Sequence, residues 1–318
     1  MLANHIRMFQ RLRRDYKLGG APHKPILLLA ILELVERGEI TSPKIEPTGE
    51  LILAFKAIWS KLVITSHSPN FALPFYHLKS EPFWTLMTFD QKTIPLTSSN
   101  SIKSLSGLRE SVAYALMDAE MFNSCLKSLE REVLRQTLLE TYFNSTKQFF
   151  RANLYQNLLS EYEGSILEEP IHLYDQKNLT NTNEEFVEEE RLIRGSVFKR
   201  IVPLQYGYQC AITRMQASST VSSVQLVDAC HIVPIAEAGI DHISNGISLS
   251  PTLHRAFDRG LITITSNYHV RVSPHLNEAA GPYSLKQYEG TPIALPGQIK
   301  YHPNPVHLNW HLNNRFLA

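Results

Sequence analysis

The first half of the chain spaces its apolar residues three to four positions apart, which predicts amphipathic helices. We predict helices over a basic N-terminal segment that ends before the helix-breaking 19–22, and over 24–40, 50–63, 108–114 and 130–143. Pro25 suits a helix start, and Gly38 stands near the exit of the same helix. The segment 70–84 mixes aromatics with two prolines, so it predicts an irregular loop or a short strand.

In the second half of the chain, the pattern of apolar and β-branched residues changes to one typical of strands. Residues 222–234 are rich in β-branched side chains and predict a strand that arrives at His231. A loop over 237–250 follows, then a short helix over 251–260 that opens with proline and closes with glycine, and a hairpin over 261–273. The C-terminal tail is expected to dock onto this domain. Helices in one half and strands around a helix in the other predict an α+β protein of two domains.

An acidic segment lies between the two halves of the chain. Residues 161–190 hold ten of the 30 acidic residues and one of the 31 Lys and Arg, so the remainder carries a net charge of about +10. This acidic stretch, rich in Asn, Thr and Glu, predicts a solvated linker. We therefore expect an N-terminal domain over 1–160, a linker over 161–194 and a C-terminal domain over 195–318. The positive excess is compatible with nucleic acid, although a solvated surface explains most such excesses.

Composition excludes several classes of protein. No apolar run approaches the roughly 18 residues of a membrane span, and the arginine-containing N-terminus is unlike a signal peptide, so a cytoplasmic protein is expected. The three cysteines, Cys125, Cys210 and Cys230, form no CxxC pair and are too few for a four-cysteine zinc site.

Candidate chemistry concentrates in 228–260. His231, Asn245 and His254 follow one another at intervals of 14 and nine residues, and the predicted strand, loop and helix would bring them to one small site. A neutral histidine can deprotonate water, a loop amide can hold the imidazole or a phosphate, and Asp228 with His254 can hold a divalent metal. These residue types suit hydrolysis of a phosphodiester.

This ordered set resembles the HNH nuclease motif of the ββα-metal fold, over residues 205–265. The resemblance implies that His231 is the general base, that Asn245 is an orienting residue, and that His254 and Asp228 hold one metal ion, Mg²⁺ or Mn²⁺. Many members of that family have an acid or a histidine immediately before the base, where this chain has Cys230. Asp258, one helical turn after His254, is a further candidate ligand.

The N-terminal half carries a second resemblance. The blocks PHKPILLL, LPFYHLKSEPFW and LRESVAYALMDAEMF are similar to the sulfur-binding domain of restriction enzymes that recognise phosphorothioate DNA. In that family an apolar pocket around a proline receives the sulfur, which is larger and less strongly hydrated than oxygen. The resemblance implies a pocket at Leu73, Pro74, Tyr76 and His77, and DNA contacts at His23, Lys24 and Lys103. The family often has an aromatic before the proline and a small residue three positions after it, where this chain has Leu73 and His77.

Together the two resemblances imply a mainly helical sulfur-binding domain joined by an acidic linker to an HNH nuclease domain. The expected function is a modification-dependent restriction endonuclease that binds double-stranded phosphorothioate DNA and cleaves it nearby with a divalent metal. One alternative is an HNH nuclease that reads another mark, such as a methylated base, and another is a DNA reader without nuclease activity. Cutting both strands requires two sites or two events, so a homodimer is possible.

Overall fold

The computed structural model describes residues 1–91, 102, 104–151, 153–168, 184–217, 226–279 and 281–318. The chain divides into two compact units. Unit 1 comprises Met1–Ser160 with Asn181–Ile193, and unit 2 comprises Glu161–Thr180 with Arg194–Ala318.

Unit 1 is mainly helical and is built around one apolar helix. Its helices are α1 Leu2–Gln10, α2 His23–Glu36, α3 Gly49–Leu62, α4 Ala72–His77, α5 Leu105–Ser111, α6 Ala119–Leu126, α7 Ser128–Tyr142 and the start of α8 Leu154–Glu168. Helix α2 packs against α3, α4, α6 and α7, so it is buried on all sides and is apolar on all sides. Among the described residues, the stretch Lys17–Glu36 alone is long and apolar enough to cross a membrane, and 78% of its most apolar window is buried.

A small antiparallel sheet flanks these helices. It consists of β1 Lys44–Ile45, β2 Trp84–Met87 and β3 Tyr114–Met117, in the order β1-β3-β2. The pattern at Tyr114–Met117 has period two, with Ala115 and Met117 in the core and Leu116 exposed. The helix predicted over 108–114 therefore ends at Ser111, and the strand begins three residues later.

The segment 70–84 also differs from its prediction. It forms α4, a single 3₁₀ turn and β2 instead of an irregular loop. Pro74 is the third residue of α4, where the missing backbone N–H costs nothing because first-turn amides have no partner within the helix. Phe75 and Tyr76 are buried, so packing of the aromatic side chains stabilises this short helix.

The two ends of the predicted linker are helical. Helix α8 covers 161–168, and α9 Glu184–Gln205 covers 184–194, whereas 169–183 lie outside the described residues. Ile166, Glu189 and Ile193 are at most 3% exposed, so these ends contain buried positions that the acidic composition conceals. The expectation of a solvated linker over the whole of 161–194 is therefore wrong at both of its ends.

Unit 2 follows the predicted order of strand, loop, helix and hairpin, except that the end of the predicted loop over 237–250 forms a second strand. Strands β4 Asp228–His231 and β5 Gly246–Leu249 pair antiparallel, helix α10 Pro251–Asp258 follows, and β6 Ile262–Ile264 pairs with β7 Val270–Val272. The C-terminal helix α11 Pro305–Asn314 packs on β6, which confirms that the tail docks onto this unit. The three cysteines are free and buried.

Candidate active site

His231 is the last residue of β4 and lies opposite Gly246 of β5. Its imidazole stacks on Phe198 of α9, with ring centroids 4.0 Å apart and an interplanar angle of 8°. A Cβ at position 246 would lie 2.6 Å from Val202 Cγ2, closer than real contacts allow, and 3.0 Å from the Phe198 ring, which is also tight. Glycine at this position lets α9 approach the strand, and Phe198 then fixes the plane of the histidine ring.

A buried carboxylate holds one nitrogen of this ring. His231 Nε2 lies 2.9 Å from Asp241 Oδ1, and the Asp241 side chain is 3% exposed. Arg194 of α9 donates to the backbone oxygen of Asp241 at 3.3 Å, which anchors the loop that carries the carboxylate. An ionised carboxylate accepts hydrogen bonds only, so Nε2 is the donor, and in the neutral imidazole Nδ1 then keeps the lone pair. This is the tautomer that a general base requires.

Asn245 braces the loop instead of touching the histidine. It is completely buried, its Oδ1 accepts from Val233 N at 2.9 Å, and its Nδ2 donates to Val233 O at 2.9 Å and Ile240 O at 3.0 Å. The side chain therefore ties together both ends of the loop between the two strands. These contacts are all to loop backbone atoms, which differs from the expected direct contact with imidazole or phosphate.

His254 of α10 lies between two carboxylates. Its Nδ1 is 3.4 Å from Asp228 Oδ2, and its Nε2 is 3.5 Å from Asp258 Oδ2. Cys230, His254 and Asp258 have potential ligand atoms within 4.8 Å of one another. Asp228 flanks this group at the other ring nitrogen, so the structure favours Asp258 and Cys230 over Asp228 as partners of His254.

Cys230 is a buried member of this group. Its Sγ lies 3.9 Å from Asp258 Oδ1. Burial raises the pKa of the Cys230 thiol well above its ordinary value, and the carboxylates of Asp258 and Asp228 raise it further. The donor set is one sulfur, one nitrogen and one oxygen, a combination that suits borderline divalent metals such as Zn²⁺ better than Mg²⁺.

His231 and two members of this group, His254 and Asp258, border one open cavity of about 320 Å³. Pro234, Ile235 and Arg315 complete the described lining. Two imidazoles, a carboxylate and an arginine therefore border the same space. Such an arrangement can activate water and neutralise an anionic substrate.

Residues 210–265 match the HNH endonuclease family. The match contains β4, β5, α10 and β6, and with them His231, Asn245 and His254, so this part of unit 2 is an HNH endonuclease domain. Among solved structures, the chain is similar to one titled "Modification dependent TagI restriction endonuclease", with 20% identity and a TM-score of 0.30. That similarity covers 38% of this chain and 38% of the other. No curated protein matches the chain.

Unit 1 contains a second cavity, of about 620 Å³. Its lining residues are Arg13, Arg14, Asp15, Ala21, His23, Lys24, His67, Leu73, Pro74, His77, Lys79 and Ser80. Of the residues predicted for DNA and sulfur, it brings together His23, Lys24, Leu73, Pro74 and His77, although the two segments lie about 50 residues apart in the sequence. An apolar wall of Leu73 and Pro74 thus stands among basic side chains.

Two imidazoles that line this cavity, those of His23 and His77, have a lowered pKa and are biased towards the neutral form. Burial lowers the pKa of His23, whose Nε2 donates to Ser68 O at 2.9 Å and whose ring packs 4.7 Å from that of Trp59. Burial lowers the pKa of His77 as well, with smaller contributions from Lys24 and Lys79. Positive charge at this wall therefore comes from the lysine and arginine side chains at neutral pH.

Lys24 differs from its predicted role. Its side chain is 8% exposed, and its Nζ lies 2.6 Å from Glu81 Oε1 and 2.8 Å from Ser80 Oγ. Glu81 therefore neutralises the cation that was expected to contact DNA. Burial lowers the pKa of Lys24, and the hydrogen bond with Glu81 opposes that effect.

Tyr76 is not among the residues that line the cavity. It is 2% exposed, and its hydroxyl accepts from Nζ of the lining residue Lys79 at 2.6 Å. Lys103 lies outside the described residues.

Sequence reasoning missed four residues at these sites. Asp241 lies ten residues after His231 in a polar loop, and its spacing carried no signal. Arg13 and Arg14 belong to a basic segment that the sequence analysis noted but did not assign to a site. Arg315 lies 61 residues after His254, too far for any local motif to connect them.

Proposed function

We propose that the protein hydrolyses phosphodiester bonds in DNA, with His231 Nδ1 as the general base. The observation that carries this proposal is the shared cavity, in which the His231–Asp241 pair faces His254 and Asp258 within the HNH domain. Asp241 keeps the proton on Nε2, so Nδ1 is free to take a proton from water. The stacked Phe198 limits rotation of the ring and keeps that nitrogen in one direction.

A divalent metal is part of this proposal. His254, Asp258 and Cys230 would hold it, because their donor atoms are close enough to converge on one ion and because thiolate, imidazole and carboxylate are all metal ligands. Asp228 would accept from the other nitrogen of His254 and orient its ring, a common arrangement behind metal-bound histidines. The metal would supply positive charge for the phosphate and the leaving oxygen. Because Cys230 adds a sulfur donor, we expect Zn²⁺ or Co²⁺ instead of the Mg²⁺ or Mn²⁺ expected from the sequence.

Unit 1 is proposed to recognise the DNA, with the sulfur of a phosphorothioate against Leu73 and Pro74. Apolar surface favours sulfur over oxygen because sulfur is less strongly hydrated. Arg13 and Lys79, beside this wall, supply the charge that draws a phosphate backbone to it. These two residues take over the role that Lys24 was expected to have, because the charge of Lys24 is neutralised by Glu81.

Cleavage tests the nuclease part of the proposal. Supercoiled plasmid with and without phosphorothioate is incubated with the wild type and with His231→Ala, in series of Mg²⁺, Mn²⁺, Co²⁺ and Zn²⁺. Cutting by the wild type and loss of cutting in His231→Ala, with DNA affinity retained, are the expected results. If His231→Ala cuts at the wild-type rate, His231 is not the base.

Binding titrations test recognition separately. Matched duplexes that differ by one sulfur are titrated against the full chain and against Pro74→Glu, which places a carboxylate in the apolar wall. The variant is expected to lose its preference for sulfur. Leu129→Glu, at an exposed apolar position of α7 outside the cavity, is the control. If Pro74→Glu keeps the full preference, sulfur does not bind at this wall; if the wild type has none, another mark, such as a methylated base, becomes the better candidate.

A further inference from the structure

The C-terminal segment brings a cation to the active-site cavity from outside the HNH match. Arg315 follows α11 directly and is one of the six described residues that line the cavity with His231. It is the one lysine or arginine among them. The HNH match ends at residue 265, 50 positions earlier. The side chain is therefore an addition that the motif itself does not contain.

The backbone around Arg315 is held in place from several directions. Arg315 N donates to His311 O at 3.0 Å, and Leu317 N donates to Gly260 O at 3.0 Å. Gly260, just after the catalytic helix α10, has φ +69°, and a Cβ there would lie 2.0 Å from Arg315 O. The absence of a side chain at Gly260 therefore leaves room for the C-terminal segment to cross the end of this helix.

His311 anchors the same segment to the core. It is 2% exposed, its ring stacks on Phe257 of α10 with centroids 3.6 Å apart, and its two ring nitrogens bond Thr263 Oγ1 and Phe257 O at 2.8 and 3.0 Å. Helix α10 carries His254, so the segment that carries Arg315 is bound to the helix that carries the metal-ligand candidates. The backbone of Arg315 is therefore held in a fixed position relative to α10 and His254.

The Arg315 side chain itself is only weakly held. Its Nη2 lies 3.4 Å from Glu237 Oε1, and the side chains are 40% and 52% exposed. An exposed ion pair at this distance is readily exchanged for another anion. A phosphate that enters the cavity can therefore replace Glu237 as the partner of Arg315.

We propose that Arg315 contacts a nonbridging oxygen of the scissile phosphate and stabilises the charge that develops there during hydrolysis. The inference rests on the proposed nuclease function of this cavity. A phosphate within reach of His231 and the His254 cluster enters the space that Arg315 borders. The guanidinium can donate two parallel hydrogen bonds to phosphate oxygens, a geometry that lysine does not reproduce.

Steady-state cleavage of a duplex by the full chain tests this role. Arg315→Ala is expected to lower kcat by about 100-fold and to change KM by about threefold or less, because the contact strengthens in the transition state. Arg315→Lys should recover part of that loss. Glu237→Gln removes the competing carboxylate, so it should raise kcat modestly and leave KM nearly unchanged.

Arg271→Ala is the matched control. Its guanidinium lies 5.4 Å from the Phe316 ring centroid, so the variant loses one positive charge and a contact of the docked C-terminus without changing the cavity lining. It should keep the wild-type kcat. Melting temperatures of all variants show whether docking of the C-terminus survives.

The outcomes separate this inference from the proposed function. If the wild type cuts DNA, His231→Ala does not, and a folded Arg315→Ala keeps its kcat, Arg315 has no part in the reaction and the nuclease proposal stands. A change in KM alone would also overturn the inference, since Arg315 would then bind DNA away from the reacting phosphate. If the wild type does not cut DNA at all, both proposals fail.

Discussion

Asp241→Asn is the most informative change at the proposed base. It keeps the size of a side chain that is 3% exposed and removes the charge that accepts from His231 Nε2 at 2.9 Å. An asparagine can donate to Nε2 instead, which would place the proton on Nδ1 and leave no lone pair for water. A hydrogen bond to a charged group contributes roughly 1.5–3 kcal/mol, so kcat should fall by about 10- to 150-fold.

Single-turnover cleavage of plasmid DNA under saturating metal measures this effect without product release. The decisive comparison is a double-mutant cycle with His231→Ala. If Asp241 acts only through the histidine, Asp241→Asn should lower the residual rate of His231→Ala by about twofold or less. Glu278→Gln is the control, because it removes a negative charge from unit 2 outside the cavity lining.

Two results would refute this reasoning. A folded Asp241→Asn variant that keeps the wild-type rate would show that the tautomer of His231 is set by something else. Fully additive losses in the double mutant would show that Asp241 acts independently of His231. Melting curves must accompany both, because the Asp241 loop is also tied to Arg194.

Three further changes test interactions within unit 1 or within unit 2. Gly260→Ala should destabilise the protein by at least about 2 kcal/mol, measured by thermal unfolding, since φ is +69° and its Cβ would meet Arg315 O. Burial lowers the pKa of His311 from 6.5 to about 4. Between pH 6.5 and 4 the unfolded chain therefore binds a proton that the folded chain does not. The free energy of unfolding should fall by up to about 3 kcal/mol as the pH drops over this range. His311→Gln should weaken this pH dependence, measured by urea unfolding at a series of pH values. Lys24→Ala should cost about 3–5 kcal/mol in the same assay, because it leaves Glu81 buried without its cation, and an unchanged midpoint would contradict the buried pair.

Local patterns were sufficient for β4, α10 and the hairpin of unit 2, but not for β5, which lies in the predicted loop. The β-branched run before His231, the proline at 251 and the glycine at 260 each act through their own backbone preferences, so β4 and α10 could be predicted without any partner. The same local logic failed at 108–114, where the start of β3 is decided by pairing with β1 and β2. It failed again at 161–194, where buried Ile166 and Ile193 outweigh the acidic composition.

What the sequence by itself determined is the ordered set of chemical groups: His231, Asn245 and His254 on a strand, a loop and a helix, and a proline-centred apolar segment among basic residues. Only the tertiary structure decided which groups meet. In the folded protein Asp241 contacts His231, and Asn245 bonds the loop backbone. Glu81 neutralises Lys24, and Arg315 lines the cavity. The physical reason is that backbone preferences act over a few residues, whereas hydrogen bonds and ion pairs depend on distances that packing of the whole unit sets.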